Sequence, residues 1–185
     1  ATWDSRFLPI IDYIEDKSVE VGKVLDVGCN MGIFVYGATQ NKNWNVTGID
    51  LNKHAINRAR SIHPTITDKF IHSSFLRYKF DDKFHTLVCS DVINHTSDPK
   101  AFLTKCNDTL DDQGNLFISF YDFDSKSAGD KRQQWDFVGV GEIITFFSDE
   151  VMMTMLHDSG FEVVDDYYKD DDVDGVRFIH CRKVA

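Results

Sequence analysis

The chemistry of this chain is concentrated around one acid and two glycines, Asp26, Gly28 and Gly32, in Val24-Leu25-Asp26-Val27-Gly28-Cys29-Asn30-Met31-Gly32-Ile33-Phe34. An apolar run holding an acid, then two glycines four apart, then a helical pattern, reads as a buried parallel strand turning sharply into a helix. In open α/β sheets a ligand sits beyond the carboxyl ends of the strands. There glycines let backbone come close, and a helix N-terminus offers unpaired N–H groups. A dinucleotide loop would need GxGxxG, and the chain offers Gly28, Asn30 and Ile33 at those places. Asp26 would repel a pyrophosphate but welcome an ammonium. The turn therefore selects a nucleotide-like ligand that carries its own positive charge.

A second reactive position is His95, in Asp91-Val92-Ile93-Asn94-His95, just beyond an apolar run that reads as the fourth strand. His54, His63, His72, His85, His157 and His180 show no ligand spacing and read as surface or packing residues. Asp170-Asp171-Asp172-Val173-Asp174-Gly175 opens like a calcium loop, but Cys181 stands where that loop needs its closing glutamate and strands flank it. It reads as a solvated turn.

The elements that must position these residues follow from periodicity and punctuation. A helix is expected over 5–16, with Pro9 tolerated in its first turn. Strands are expected at 23–28, 45–50, 69–72, 83–90 and 115–121. They alternate with helices at 32–40, 53–62 and from Pro99 to about 110, capped by Asn52 and Asp98 where those two begin. That alternation predicts a mostly parallel sheet. The polar stretch 122–145, with Trp135 and Phe137, is longer than an ordinary connection and reads as a substrate lid with local helix. Ser148 caps a helix at 149–158, and strands at 161–168 and 176–183 close the chain as an antiparallel hairpin. The expected fold class is α/β: a three-layer, Rossmann-like arrangement with a mostly parallel seven-stranded sheet and a C-terminal antiparallel hairpin.

With 185 residues, 42% of them hydrophobic, the chain reads as one domain with a sizeable core. Thirty acids against twenty bases, without a dense basic patch, argue against a nucleic-acid partner. No run approaches the roughly eighteen apolar residues of a membrane span. Cys29, Cys89, Cys106 and Cys181 are scattered, without CxxC spacing, as reduced thiols of a cytoplasmic protein would be.

Val24-Leu25-Asp26-Val27-Gly28-Cys29-Asn30-Met31-Gly32 resembles the first motif of the class I S-adenosylmethionine-dependent methyltransferases. Val46-Thr47-Gly48-Ile49-Asp50 is similar to that family's second strand with its terminal acid, and Leu87-Val88-Cys89-Ser90-Asp91 to its fourth. Leu110-Asp111-Asp112-Gln113-Gly114-Asn115-Leu116 resembles its turn before strand five, and Gly160-Phe161-Glu162-Val163-Val164 its sixth strand. The likeness spans nearly the whole chain and points to small-molecule enzymes similar to those of the ubiquinone and menaquinone pathways.

The resemblance implies S-adenosyl-L-methionine as cofactor and S-adenosyl-L-homocysteine as product. Gly28, Cys29, Asn30 and Gly32 would cradle the methionine part, Asp26 its ammonium, Asp50 both ribose hydroxyls, and Leu51 the adenine. Asn30 replaces the family's middle glycine, and asparagine tolerates left-handed backbone better than most residues. Ser74 falls where the family has an acid for the adenine amino group; Ser73, Phe75, Ser90 and Asp91 complete the expected lining.

Asp91-Val92-Ile93-Asn94-His95 looks like the ExxEH motif of ubiquinone-pathway O-methyltransferases, with Asp91 and Asn94 in place of the glutamates. His95 is then the expected general base or substrate contact, and no metal is assigned because a carboxylate is missing. Tyr121, Asp122, Asp124, Trp135 and Phe137 are further positions able to face an acceptor. The expected activity is methylation of a small-molecule acceptor, oxygen before nitrogen or carbon. The alternatives are a catalytically idle cofactor-binding or interaction protein and a nicotinamide-dependent oxidoreductase.

Overall fold

The computed structural model describes residues 4–131, 141–168 and 175–184. Trp135, Phe137 and the acidic turn before Gly175 lie outside those residues. The chain divides into two compact units, Ala1–Val88 and Cys89–Ala185.

In the first unit, α1 (Asp4–Asp16) is followed by β1 (Lys23–Val27), α2 (Ile33–Lys42), β2 (Asn45–Asp50), α3 (Lys53–Ile62), β3 (Phe70–His72) and β4 (Phe84–Cys89), which ends one residue into the second unit. β1 pairs in parallel with β2 on one side and β4 on the other, and β2 with β3. Val24, Leu25, Asp26 and Val27 are all buried, as are Thr86 to Cys89, the pattern of strands covered on both faces rather than one. α3 shows the complementary logic. Ala55, Ile56 and Ala59 turn inward at helical spacing, while the Asn52 side chain accepts from the N–H groups of His54 at 2.9 Å and Ala55 at 3.2 Å. Pro64 then opens a short 3-10 turn, which ends the helix. One expectation needs correcting: α1 starts at Asp4, so Pro9 lies in its second turn, not its first.

The second unit contains α4 (Pro99–Thr109), β5 (Leu110–Tyr121), α5 (Lys126–Lys131), α6 (Asp149–Asp158), β6 (Phe161–Tyr168) and β7 (Val176–Lys183). Asp98 caps α4 by accepting from Ala101 N–H at 2.9 Å, with Pro99 in the first helical position. Ser148 caps α6, and Gly160, at φ 79°, lets the chain leave that helix for β6. β7 lies between β5 and β6 and is antiparallel to both, so Phe178, Ile179, His180 and Cys181 are buried. β5 begins earlier than the sequence suggests, yet its pairing with β7 starts at Asn115. Among the described residues, seven strands form the mixed sheet of the expected class, mostly parallel with a C-terminal antiparallel pair.

Candidate functional site

The glycine turn is built by the end of β1 and held against β2. The N–H groups of Gly28 and Cys29 both donate to the Ile49 carbonyl, at 2.8 and 3.1 Å, and Gly32 N–H closes the turn on the Cys29 carbonyl at 2.8 Å. Gly28 and Gly32 have φ of 73° and 74°, the left-handed region where a side chain is strained. Gly32 is doubly constrained, because an added Cβ would lie 2.3 Å from the Phe70 ring. Asn30 has φ 49°, the backbone that its side chain tolerates. It thus keeps the shape that a glycine would give.

Two carboxylates meet at this turn. Asp50 takes one backbone N–H on each oxygen, Asn30 at 2.8 Å on Oδ2 and Asn52 at 2.7 Å on Oδ1, so it also holds the turn to the start of α3. Asp26 is 2% exposed, and its Oδ2 has no hydrogen-bond partner. Burial, and then the negative charge of Asp50, push the Asp26 carboxyl well above the usual carboxylate range. A buried, orphaned acid beside a second acid is costly by itself and suits a ligand cation. Cys29 is buried, and its thiol is pushed up by burial, then by Asp26 and Asp50, so it serves as packing rather than as a nucleophile.

Leu51 is an apolar side chain 72% exposed, and its carbonyl accepts from His72 Nε2–H at 3.2 Å. Ser73 N–H donates to the Asp50 carbonyl at 3.0 Å, and the Ser74 carbonyl accepts from Arg77 and Tyr78. Phe75 is anchored in the core with its ring 6.2 Å from that of Phe80, so only 8% of it is open to a ligand. His72 was not singled out by sequence, since its role depends on a carbonyl twenty-one residues away.

In the second unit, Ser90, Asp91 and His95 follow the end of β4. Asp91 has φ 57°, and its N–H donates to Ser119 Oγ at 2.9 Å. Ser119, fully buried on β5, also lies 3.4 Å from Ser90 Oγ and from Asp91 Oδ1. His95 is exposed, with Nδ1 2.6 Å from the Glu142 carbonyl. A carbonyl can only accept, so Nδ1 carries the proton, and in the neutral ring Nε2 keeps its lone pair.

Asn94, at the second glutamate position of the resembled motif, is fully buried: Nδ2 donates to the Thr145 carbonyl at 2.7 Å and Oδ1 accepts from Tyr121 N–H at 3.0 Å. Among the described residues, no group of three His, Cys, Asp or Glu side chains is placed to hold a metal ion.

Asp122 and Asp124 also do other work than facing an acceptor. Asp122 is fully buried and 3.6 Å from the Arg177 guanidinium, which also pairs with Asp166 at 2.6 Å and with Asp149. Asp124 accepts from Asp149 N–H at 3.1 Å. Tyr121 is buried in a cluster with Ala128, Ile143, Phe146 and Val176. Sequence had pointed to neither Ser119 nor Arg177, whose partners lie at least eleven residues away.

A family model described as "Methyltransferase domain" matches residues 4–166. A ubiquinone biosynthesis O-methyltransferase of Actinobacillus pleuropneumoniae serotype 7 (strain AP76) is 30% identical over 141 residues, covering 64% of this chain and 59% of its own length. The chain thus spans less than two thirds of that curated relative. Among solved structures, an S-adenosylmethionine-dependent methyltransferase from Clostridium acetobutylicum ATCC 824 matches all of this chain and 93% of its own, with TM-score 0.77 at 13% identity. The magnesium protoporphyrin IX methyltransferase of Synechocystis PCC 6803, with bound SAH, matches 95% of this chain and 80% of its own, with TM-score 0.74 at 14% identity.

Proposed function

The chain belongs to the methyltransferase-domain family; from that premise we propose that it is a class I, S-adenosylmethionine-dependent enzyme that methylates a hydroxyl oxygen of a small molecule, with His95 as general base. The observation that carries this reading is the His95 ring. Its Nδ1–H is engaged by the Glu142 carbonyl, which leaves Nε2 as the proton acceptor that a hydroxyl nucleophile needs. The name of the relative, an O-methyltransferase, supports the same acceptor atom.

The residues present fit the cofactor. Asp26, buried with an orphaned oxygen, would pair with the ammonium, Asp50 would accept from the ribose hydroxyls, and exposed Leu51 would cover the adenine. Gly28, Cys29, Asn30 and Gly32 would carry the methionine part over the turn. Ser73, Ser74, Phe75, Ser90 and Asp91 complete the proposed lining. When bound, S-adenosylmethionine supplies a methyl group on a sulfonium, whose departure leaves neutral S-adenosylhomocysteine.

His95 Nε2 would take the proton of the acceptor hydroxyl as its oxygen receives the methyl group that the bound cofactor would supply. The rest of the work is alignment and exclusion of water, which in favourable cases is worth up to about 7–11 kcal/mol. The 122–145 segment is proposed to cover the acceptor within a single methyltransferase domain. The four buried cysteines suit a cytoplasmic setting. Among the described residues, no helix is long and apolar enough to cross a membrane.

The test is release of S-adenosylhomocysteine from S-adenosylmethionine with phenolic, amine and activated-carbon acceptors, on wild type and His95→Gln. Turnover of phenols alone, reduced by about 10²–10⁴ in the variant, is expected. Transfer confined to amines, or a variant as fast as wild type, would sink the proposal.

A further inference from the structure

Asn94 and the segment 141–147 make an arrangement that packing alone does not require. The segment returns past the turn at 92–95 as a strap, bonded there to Asn94 and His95. The Asn94 carbonyl accepts two successive strap N–H groups, Ile144 at 2.8 Å and Thr145 at 3.1 Å. The Asn94 side chain donates to the Thr145 carbonyl at 2.7 Å, while its Oδ1 accepts from Tyr121 at the end of β5 at 3.0 Å. Three residues before Thr145, the Glu142 carbonyl meets His95 Nδ1 at 2.6 Å. His95 itself adjoins Asn94 in a single 3-10 turn. Fixing the strap on Asn94 therefore fixes the carbonyl that decides which ring nitrogen of His95 holds the proton.

We infer that Asn94 is a positioning residue for the base: by docking the strap, it sets His95 in the Nδ1–H tautomer and keeps Nε2 open to the acceptor. An asparagine suits this place because it supplies one donor and one acceptor at once, to two different backbone segments. Aspartate has the same shape but no donor, and would set an oxygen against the Thr145 carbonyl. The inference rests on His95 as the base, yet the tautomer can be read without any acceptor.

The experiment is a long-range ¹H–¹⁵N correlation of the histidine rings in uniformly labelled protein, with the His95 signals identified by their loss in His95→Gln. Wild type should show Nδ1 protonated and Nε2 bare. Asn94→Asp should move the proton to Nε2 or average the two forms, and should lower kcat for a phenolic acceptor at least tenfold with KM changed less than threefold. Wild type in the Nε2–H form overturns the inference, as does an Asn94→Asp protein that melts like wild type and keeps Nδ1–H. If Asn94→Asp does not fold, Thr145→Pro, which removes one strap N–H outside the core, carries the same expectation, and an unchanged tautomer there overturns it. His95→Gln turning over at the wild-type rate would remove the base but leave the tautomer result standing. An Nε2–H wild type with an inactive His95→Gln would remove the role of Asn94 and Nε2 as the accepting atom, while His95 itself stayed essential.

Discussion

Replacing Asp26 by asparagine separates what this acid does for the ligand from what it does to the fold. The side chain keeps its shape but loses its charge, and Asp26 is buried with an orphaned oxygen beside Asp50. A hydrogen bond to a charged group contributes about 1.5–3 kcal/mol, so affinity for S-adenosylhomocysteine should fall about 10- to 150-fold. The apoprotein should respond the other way. The folded-state pKa of Asp26 is raised, so as pH climbs through the ordinary carboxylate range the unfolded chain loses its proton while the folded one keeps it. Folding weakens over that window, and Asp26→Asn escapes the loss.

Binding shows the complementary dependence. Protonation of Asp26 on acidification removes the attraction for an ammonium, so wild-type affinity should drop towards acid pH while that of the variant stays flat. Calorimetric titration with S-adenosylhomocysteine between pH 5 and 8 (the assay range, of the order where carboxyl and imidazole groups titrate), with thermal melts of both apoproteins, reads all three effects. Equal affinities, or an asparagine variant that melts below wild type at the alkaline end, would refute the reasoning.

Other expectations follow from single contacts. Gly32→Ala combines a positive φ with a Cβ 2.3 Å from the Phe70 ring, so it should lower the melting temperature and weaken cofactor binding together, by differential scanning fluorimetry with and without S-adenosylhomocysteine. Arg177→Met leaves fully buried Asp122 without its cation and should cost about 3–5 kcal/mol in urea unfolding; a loss below about 1 kcal/mol would show that the three acids are paired elsewhere. His180, stacked on Phe117 and within 2.9 Å of Asn115 Oδ1, has its pKa lowered to about 4 by burial and then by Arg182. Its neutral form is the folded one, so its contribution is present above about pH 6.5 and is lost as pH falls towards 4. His180→Gln should flatten that part of the stability profile.

Local chemistry made the scaffold legible. Asn52, Asp98 and Ser148 cap the helices that their positions imply, and the buried runs of β1 and β4 mark strands covered on both faces. Asn30 could be read too, because left-handed backbone is a property of the residue itself. What sequence could not give was partnership at a distance. Ser119 matters through Asp91, twenty-eight residues earlier, and Asn94 through Thr145, fifty-one residues later. Such pairs are set by which strands become neighbours, and no local pattern encodes that. Asp122 illustrates the converse: an acid at the end of a strand looks available to a ligand until Arg177 is brought beside it.

The Asp50 carboxylate has one further consequence. With Asn30 and Asn52 each donating to a different oxygen, the group cannot rotate without breaking one of two short bonds. Each oxygen has one direction left in which to accept, and the two directions are fixed relative to each other before any ligand arrives. A nucleoside with two vicinal hydroxyls can use both; a deoxy analogue leaves one oxygen facing nothing, and the acid cannot swing to compensate. With Asp50 as the proposed ribose contact, selection for ribose over deoxyribose would rest on main-chain amides, which side-chain mutation would not easily erase.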